Sequence, residues 1–363
     1  IGMISTDEPQ PWVDQAPEAP PNGAIDASSP DEIAAGINPL TGLPVEDASL
    51  LDLPPALISV TNFPVSARPQ AGLSFAPFVY ELYISEGMTR FLAVFYGDYP
   101  QAAVQGEDTS VMTNNKAEIG PVRSGRLPYQ AIRKLYNGFL VMASADSQVG
   151  MSLSNATNFF GSDSDDINSA LLDVSRLQAI AEANASAEPA NLTGNTFDAA
   201  APKGGQGADQ LWVFYNYLNQ AMWTFDPASG AYLRAQDQAD GSGEFSPATD
   251  RLTGEQLAFE NVIVLNAQHQ VLNSAGTMID VDLLYRTGKA YLFRDGNMYP
   301  ILWSTVNGEY EKATGKLRPI RFTDLDEEPI SLKPGSTWVE VMDVTATLKE
   351  TAPGAWKARF YSP

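Results

Sequence analysis

The chain has 363 residues, which is long for one ordinary hydrophobic core and favours two domains. It carries 22 Lys and Arg residues against 44 Asp and Glu residues, and the resulting net charge of −22 repels nucleic-acid phosphates. It has no cysteine and one histidine, which excludes a cysteine nucleophile and zinc sites built from Cys and His. We therefore expect no cofactor, no metal site and no nucleic-acid partner.

Residues 1–37 form an acidic segment rich in Pro and Ala, with seven Asp or Glu residues and no Lys or Arg. Low hydrophobicity and charge of one sign cannot offset the entropy of ordering, so we expect a disordered tether. No signal peptide is recognisable, which favours a mature or trimmed form. The chain also has no run of eighteen apolar residues, so no membrane-spanning helix is expected.

Residues 38–205 alternate between predicted strands and helices, which predicts an N-terminal α/β domain. The predicted strands are Ala56–Thr61, Phe78–Ile84 and Thr89–Tyr99. The last two are apolar at nearly every position, as expected for strands covered on both faces.

Two amphipathic helices are predicted in the same domain. The first begins near Pro128 and ends near Gly138, and its apolar positions recur at helical spacing. The second spans residues 165–184, with the acidic residues of 163–166 at its positive N-terminal end.

Residues 206–363 contain strand-like segments separated by turns, which predicts a mainly antiparallel β domain and an α+β protein overall. The Gly-rich stretch 199–210 is either a linker between the domains or an ordered loop. Asp295-Gly296 predicts a tight hairpin, and Thr287-Gly288 predicts another turn.

Candidate ligand-binding residues cluster within about sixty positions of the first domain. They are Arg68, Glu81, Glu86, Arg90, Arg123, Ser124 and Arg126. The stretch "GPVRSGR", residues 120–126, places two arginines behind a rigid Gly-Pro corner. An arginine fork matches a carboxylate or phosphate, so the pair predicts an anion site, with the glutamates orienting the arginines. The same forks could instead pair with Glu81 and Glu86 inside the protein.

Glu81 interrupts an otherwise apolar strand, and a buried carboxylate needs an arginine or several donors. An internal ion pair with the 120–126 loop and a role in a ligand site both remain open. Glu86 has the opposite parity along the strand, which places the two carboxylates on opposite faces and disfavours an acid–base pair. No catalytic residue is assigned.

Other polar segments do not predict a site. The acidic loops 161–168 and 237–244 lack the residue spacing of a calcium loop. His269 lies between a predicted strand and a polar turn, and we expect it to be exposed rather than part of a catalytic triad. The numerous tryptophans of the second domain are expected to pack in its core.

Several motifs together resemble the YerB-like family of bacterial lipoproteins. They include "NPLTGLP" at 38–44, "ARPQAGLS" at 67–74, "VYELYISEGMTRFLAVF" at 79–95 and "IGPVRSGR" at 119–126. The resemblance continues through "FDPASGAYLR", "NVIVL" and "LKPGSTWVEV" and covers most of residues 38–345. It implies a secreted protein whose lipidated cysteine would precede Ile1, so that residues 1–37 tether the domains to a membrane. It implies no biochemical activity.

Two departures from the family pattern concern histidines. Where relatives usually have a His-x-Gly-Gly-Ser-like stretch, this chain has "MASADSQ", residues 142–148. The usual Pro-His-Asn segment is represented only by "EPANLTG", with Asn191. Chemistry that depends on those histidines is therefore not implied here.

These observations favour a non-catalytic envelope protein on the outer face of the cytoplasmic membrane. Its expected partner is a polar or anionic small molecule or a cell-wall polymer, and it contacts the membrane only through an anchor absent from this chain. Two alternatives remain: a carboxylate-dependent hydrolase acting on envelope glycans, and a structural partner of other envelope proteins.

Overall fold

The computed structural model describes residues 34–100, 117–158, 171–186 and 189–363. Nearly all of the predicted disordered tether, the acidic loop 161–168 and the first part of the helix predicted over 165–184 lie outside these residues.

The described residues are mostly in strands. In chain order the strands are β1 (Ala56–Thr61), β2 (Phe78–Ser85), β3 (Met88–Phe95), β4 (Glu118–Ile119), β5 (Phe139–Met142), β6 (Ala156–Asn158), β7 (Leu172–Asp173), β8 (Thr196–Phe197), β9 (Gln206–Gly207), β10 (Gln210–Asn216), β11 (Asn219–Asp226), β12 (Ala231–Asp237), β13 (Phe245–Pro247), β14 (Ala258–Phe259), β15 (Asn261–Asn266), β16 (His269–Val271), β17 (Ile279–Val281), β18 (Thr287–Arg294), β19 (Asn297–Ser304), β20 (Arg321–Thr323), β21 (Ser331–Leu332), β22 (Thr337–Met342), β23 (Thr347–Ala352) and β24 (Ala355–Arg359).

Helices are fewer and short. The α-helices are α1 (Pro128–Tyr136), α2 (Ser147–Ser152), α3 (Val174–Ala183) and α4 (Glu309–Thr314), and 3₁₀ turns occur at Ala48–Asp52, Val65–Ala67 and Leu73–Phe75.

A large mixed sheet, the central sheet, runs through both halves of the chain. Its strand order is β20-β19-β18-β15-β22-β2-β3-β1-β5-β6. The parallel pairing of β2 with β22 joins the strands of the first half to those of the second. Through this pairing, backbone groups of both halves belong to one hydrogen-bonded ladder.

A smaller sheet, the outer sheet, has the order β13-β12-β11-β10-β24-β23 and packs on one face of the central sheet. Trp223 of the outer sheet and Trp338 and Phe91 of the central sheet meet edge-to-face in the resulting core. The other face of the central sheet carries a second core, to which α1 contributes Ile132 and Leu135. The protein is therefore layered as helix, central sheet and outer sheet.

Side chains of β2 and β3 alternate between these two cores, since successive residues of a strand point to opposite faces. Val79 and Tyr83 face the outer sheet, whereas Leu92 and Val94 face α1. Glu81 shares the parity of the first pair, and Arg90 shares that of the second. The central sheet therefore separates the carboxylate of Glu81 from the guanidinium of Arg90.

Most of the predicted elements of the first half are present. The strand predicted over Ala56–Thr61 has those bounds, and α1 begins at the predicted Pro128. The helix predicted over 165–184 is wrong at its start, because Leu172–Asp173 are extended and Asp173 caps a helix that begins at Val174.

One of the two turns predicted in the second half is confirmed. Asp295 and Gly296 both adopt positive φ, 52° and 69°, and connect β18 to β19 in a hairpin. Thr287-Gly288 is not a turn but the start of β18, paired with Ser304 and Trp303. Both sheets mix parallel and antiparallel strands. Strands predominate in both halves of the protein, and helices are few.

Candidate anion-binding site

The 120–126 loop lies beside the end of β1. It pairs with the part of β1 that continues past the end of β5. The N–H of Thr61 donates to the carbonyl of Pro121 at 3.0 Å, and the N–H of Arg123 donates to the carbonyl of Ser59 at 2.9 Å. These backbone bonds fix the loop as if it were a further strand. The side chains of residues 123–126 are thereby held at the sheet edge.

Gly125 lies where the loop crosses the chain that follows β5. Its N–H donates to the carbonyl of Ser144 at 2.9 Å. A Cβ at this position would lie 2.4 Å from Sδ of Met142 and 2.7 Å from Cδ1 of Leu153. Such distances are inside van der Waals contact, so any larger residue would force the Met142 and Leu153 side chains to shift.

Ser124 accepts hydrogen bonds from two arginines. Nη1 of Arg90 donates to the Ser124 carbonyl at 2.9 Å and to its hydroxyl at 3.1 Å. Nη1 of Arg126 donates to the same hydroxyl at 3.3 Å and to the Gly125 carbonyl at 3.1 Å. Arg90 and Arg126, which are far from each other in the sequence, therefore converge on one serine. Arg90, Arg123, Ser124 and Arg126 are called the arginine cluster below.

No carboxylate neutralises the arginine cluster within the part of the chain that the structure describes. None of its three guanidinium groups has an ion pair there, whereas other buried arginines do. Burial lowers the pKa of Arg90 to about 9, and the positive charges of Arg126 and Arg123 lower it too. Burial likewise lowers the pKa of Arg126, with Arg123 contributing. The positive charges of the three guanidinium groups therefore repel one another.

The arginine cluster keeps donors open. The side chain of Arg123 makes no hydrogen bond to the described residues, and its terminal nitrogens are not enclosed. One terminal nitrogen of Arg90 and one of Arg126 likewise make no hydrogen bond to the described residues and are not enclosed. The Nε–H groups of all three arginines are enclosed without a partner among the described residues. Unused charged donors around one serine suit an incoming oxyanion.

Three further residues, which the sequence did not single out, border the arginine cluster. The hydroxyl of Tyr129 lies 3.3 Å from that of Ser59, and the Ser59 hydroxyl donates to the Ser124 carbonyl at 3.2 Å. Asp146 acts on Arg126 through its charge but forms no ion pair with it and instead caps α2. Only the parity of Ser59 along β1 could have indicated its position.

The start of α1 does not add anion-binding N–H groups. The N–H of Tyr129 donates to the carbonyl of Arg126 at 3.2 Å, and that of Gln130 donates to Leu127 at 3.1 Å. These two donors are used locally, so neither is available to an anion at this site.

Glu81 lies away from the arginine cluster, inside the core between the two sheets. Its carboxylate pairs with Nη2 of Arg234 at 2.7 Å and accepts a hydrogen bond from Thr89 at 2.6 Å. Arg234 stacks over Trp338, with Cζ 4.7 Å from the ring centroid. The expected ion pair thus exists, but its arginine comes from β12 and not from the 120–126 loop. Glu81 cannot orient the arginine cluster from the opposite face of the sheet.

A second carboxylate, that of Glu340, lies next to Glu81 in the same core. The two residues are register partners on β22 and β2. Burial and the charge of Glu81 raise the pKa of Glu340 to about 8, although Trp223 and Tyr215 donate to it. Arg234 pairs with Glu81, and the neighbouring Glu340 is left with its protonated form favoured.

Arg68 and Glu86 also lie apart from the arginine cluster. Arg68 is half-buried, donates to the carbonyls of Asp237 at 2.8 Å and Asn62 at 3.3 Å, and stacks on Phe63. Glu86 is exposed at the β2–β3 turn with φ of 50°. Of the seven predicted ligand residues, Arg90, Arg123, Ser124 and Arg126 are brought together.

Two other features of the described structure contain titratable side chains. His269 is buried, not exposed as expected, because β16 places its ring against Tyr83 and Phe360. A cavity of about 290 Å³ near Asn38 contains Asp98 and Glu260, but both carboxylates already accept backbone N–H groups. Within the described residues no group of His, Asp or Glu side chains could hold a metal.

Both halves of the chain match one protein family. Residues 40–203 match the N-terminal domain, and residues 212–339 the C-terminal domain, of the family described as "Protein of unknown function (DUF3048)". The chain is therefore a two-domain member of this family, in agreement with the YerB-like motifs.

Among the relatives is a Bacillus subtilis (strain 168) protein named "Putative lipoprotein YerB". It is 26% identical over 323 residues, which cover 84% of this chain and 85% of the relative. The crystal structure of YerB from Bacillus subtilis matches with a TM-score of 0.64 at 24% identity, over 86% of this chain and 99% of that one. This likeness supports the fold. Among the helices that the structure describes, none has the length and apolarity needed to span a bilayer.

Proposed function

We propose that this chain is a lipid-anchored envelope protein, exposed outside the cytoplasmic membrane, that binds an anionic ligand at the arginine cluster without catalysis. The similarity to a lipoprotein supports the location. The observation that carries the binding proposal is the convergence of Arg90 and Arg126 on Ser124, beside the unbonded guanidinium of Arg123, with no ion-paired acid among the described residues.

The ligand group is an oxyanion, either a carboxylate or a phosphate, as found on a cell-wall fragment. Arginine presents parallel N–H donors that match both groups. The charges of Arg126 and Arg123 lower the pKa of Arg90. A bound anion would relieve this mutual repulsion of the three guanidinium groups. A binding protein needs no more than this, and the Glu81–Glu86 pair disfavoured by the sequence is not assembled in the described structure, where Glu81 is buried and Glu86 is exposed.

The test is isothermal titration calorimetry of the chain with inorganic phosphate, with muramyl dipeptide and with neutral N-acetylglucosamine. We expect the two anions to bind and the neutral sugar not to bind. Arg123→Gln with Arg126→Gln should weaken anion binding by about tenfold or more, since a charge-assisted hydrogen bond contributes roughly 1.5–3 kcal/mol.

A matched control is Arg133→Gln with Lys134→Gln, which removes the same charge from the far end of α1. We expect this variant to bind as the parent does. The proposal fails if the two double variants lose affinity equally, if neither loses any, or if loss of Arg123 and Arg126 simply unfolds the chain. Turnover of the muramyl probe would favour the hydrolase alternative.

A further inference from the structure

A second cationic surface lies on the opposite side of the molecule, on the solvent face of the outer sheet. Register places Trp212 beside Lys357, Phe214 beside Arg359, and Lys349 beside Lys357. Directly paired residues point to the same face of a sheet. Their chain neighbours, including Leu211, Val213 and Ala358, point into the core. Trp212, Phe214, Lys349, Lys357 and Arg359 are called the cation–aromatic face.

The rings of this face hold the cations in place. Nζ of Lys357 lies 3.4 Å from the ring centroid of Trp212 and 4.8 Å from that of Phe214. Cζ of Arg359 lies 5.5 Å from the Phe214 centroid and 5.1 Å from that of Tyr361. Cation–π contacts of this kind restrict two otherwise flexible side chains without neutralising their charge.

No acid offsets these charges within the described ranges. Lys349, Lys357 and Arg359 form no ion pair there, although surface cations elsewhere, Arg286 and Lys312, do. Partial burial lowers the pKa of Lys357, and the charge of Arg359 lowers it further. In a chain of net charge −22, such an acid-free group of three cations is a local reversal of sign.

Spacing and exposure indicate what this face could bind. Neighbouring strands lie about 5 Å apart and alternate residues of one strand about 7 Å apart, so the three cations span several repeats of a linear charged chain. Phe214 is only 9% exposed, and the Lys357 ammonium covers the Trp212 ring. The rings of Trp212 and Phe214 are therefore not presented for insertion into a bilayer or for stacking on a sugar.

The net charge of the protein favours a flexible polymer over an extended anionic membrane as the partner of this face. A bilayer would face the whole acidic protein and be repelled by it, whereas a single chain can contact the cationic patch alone. We propose that the cation–aromatic face is a docking site for a linear polyanion that carries a phosphate or carboxylate on each repeat. It lies on the other sheet from the arginine cluster and does not depend on that site.

The test is calorimetric titration of the chain with long-chain polyphosphate, poly-L-glutamate and neutral dextran at about 50 mM NaCl, where electrostatic contacts are weakly screened. Both polyanions should bind, dextran should not, and high salt should abolish binding. Lys357→Gln with Arg359→Gln should weaken binding at least tenfold, and the exposed Lys349→Gln should weaken it about threefold.

The matched control is Arg286→Gln with Lys312→Gln, which removes two surface cations that have acidic partners. It should change affinity less than twofold. Arg123→Gln with Arg126→Gln removes any contribution of the arginine cluster, and in that background Lys357→Gln with Arg359→Gln should still weaken polymer binding at least tenfold, so failure of one proposal is distinguishable from failure of the other. The inference is overturned if neither polyanion binds, if the face variants bind normally, or if only phosphatidylglycerol vesicles bind through Lys357 and Arg359.

Discussion

At the scale of single residues, the arginines of this protein divide into neutralised and open groups. Arg234 and Arg318 are buried against glutamates and stabilise the interior. Arg90, Arg123 and Arg126 carry the same charge with no carboxylate among the described residues. A buried cation without an anion is costly unless a ligand or solvent compensates it. The difference in partners, rather than the residue type, therefore marks the candidate site.

The Glu81–Glu340 pair predicts an unusual pH dependence of stability. The pKa of Glu340 is raised from 4.5 to about 8 in the folded chain. A folded-state pKa above the unfolded one means that the native state binds the proton more tightly, so stability falls as pH rises from 4.5 towards 8. The slope from this group is at most roughly 1.4 kcal/mol per pH unit.

Urea unfolding of the parent chain and of Glu340→Gln at pH 5, 7 and 9 measures this contribution. Gln keeps an acceptor for the Trp223 N–H but cannot ionise. We expect the variant to gain stability relative to the parent as pH rises, because the remaining titrating groups are common to both proteins. A difference that is constant with pH would show that Glu340 does not titrate in this range.

At the scale of elements, the arginine cluster depends on how the 120–126 loop crosses the segment after β5. Gly125→Ala should lower stability by about 1–3 kcal/mol, since its Cβ would overlap Met142 and Leu153. It should also weaken phosphate binding, because Ser124 and Arg126 flank it. Gly150→Ala, in nearby α2, meets only Ala145 at 3.9 Å and should be neutral or slightly stabilising in urea unfolding and neutral in calorimetry. Equal behaviour of the two variants would contradict the close crossing.

Elements with strong local patterns could be predicted from the sequence. β1 and the start of α1 follow from apolar runs and from Pro128, and the β18–β19 hairpin follows from Asp295-Gly296. The start of α3 was misplaced because helical spacing continues upstream of Asp173, where β7 pairs with β4 instead. Tertiary pairing overrode the local pattern there.

The site could be predicted only in part, for a related reason. Arg123 and Arg126 are close in sequence, and their joint position follows from the loop. The partner of Glu81 could not be found, because Arg234 lies 153 residues away on another sheet. The cation–aromatic face was missed because the parallel pairing of β10 with β24 joins segments far apart in the chain.

At the scale of the whole molecule, an acidic protein carries two cationic areas on opposite sides of a layered fold. The β2–β22 ladder joins the two family domains through one sheet, so both areas belong to a connected scaffold. The proposed location beside a membrane rests on the similarity to "Putative lipoprotein YerB", and the net charge of −22 would repel anionic lipid. In this account, anions reach the protein only at the acid-free cations.

The central claim is that the guanidinium groups of the arginine cluster bind an oxyanion. NMR spectra of the arginine Nε–Hε groups, recorded during titration with inorganic phosphate, test it most directly. The account predicts that the signals of Arg90, Arg123 and Arg126 shift together and saturably, while that of Arg133 stays in place. Signals that do not move, or that all drift alike with ionic strength, would contradict it.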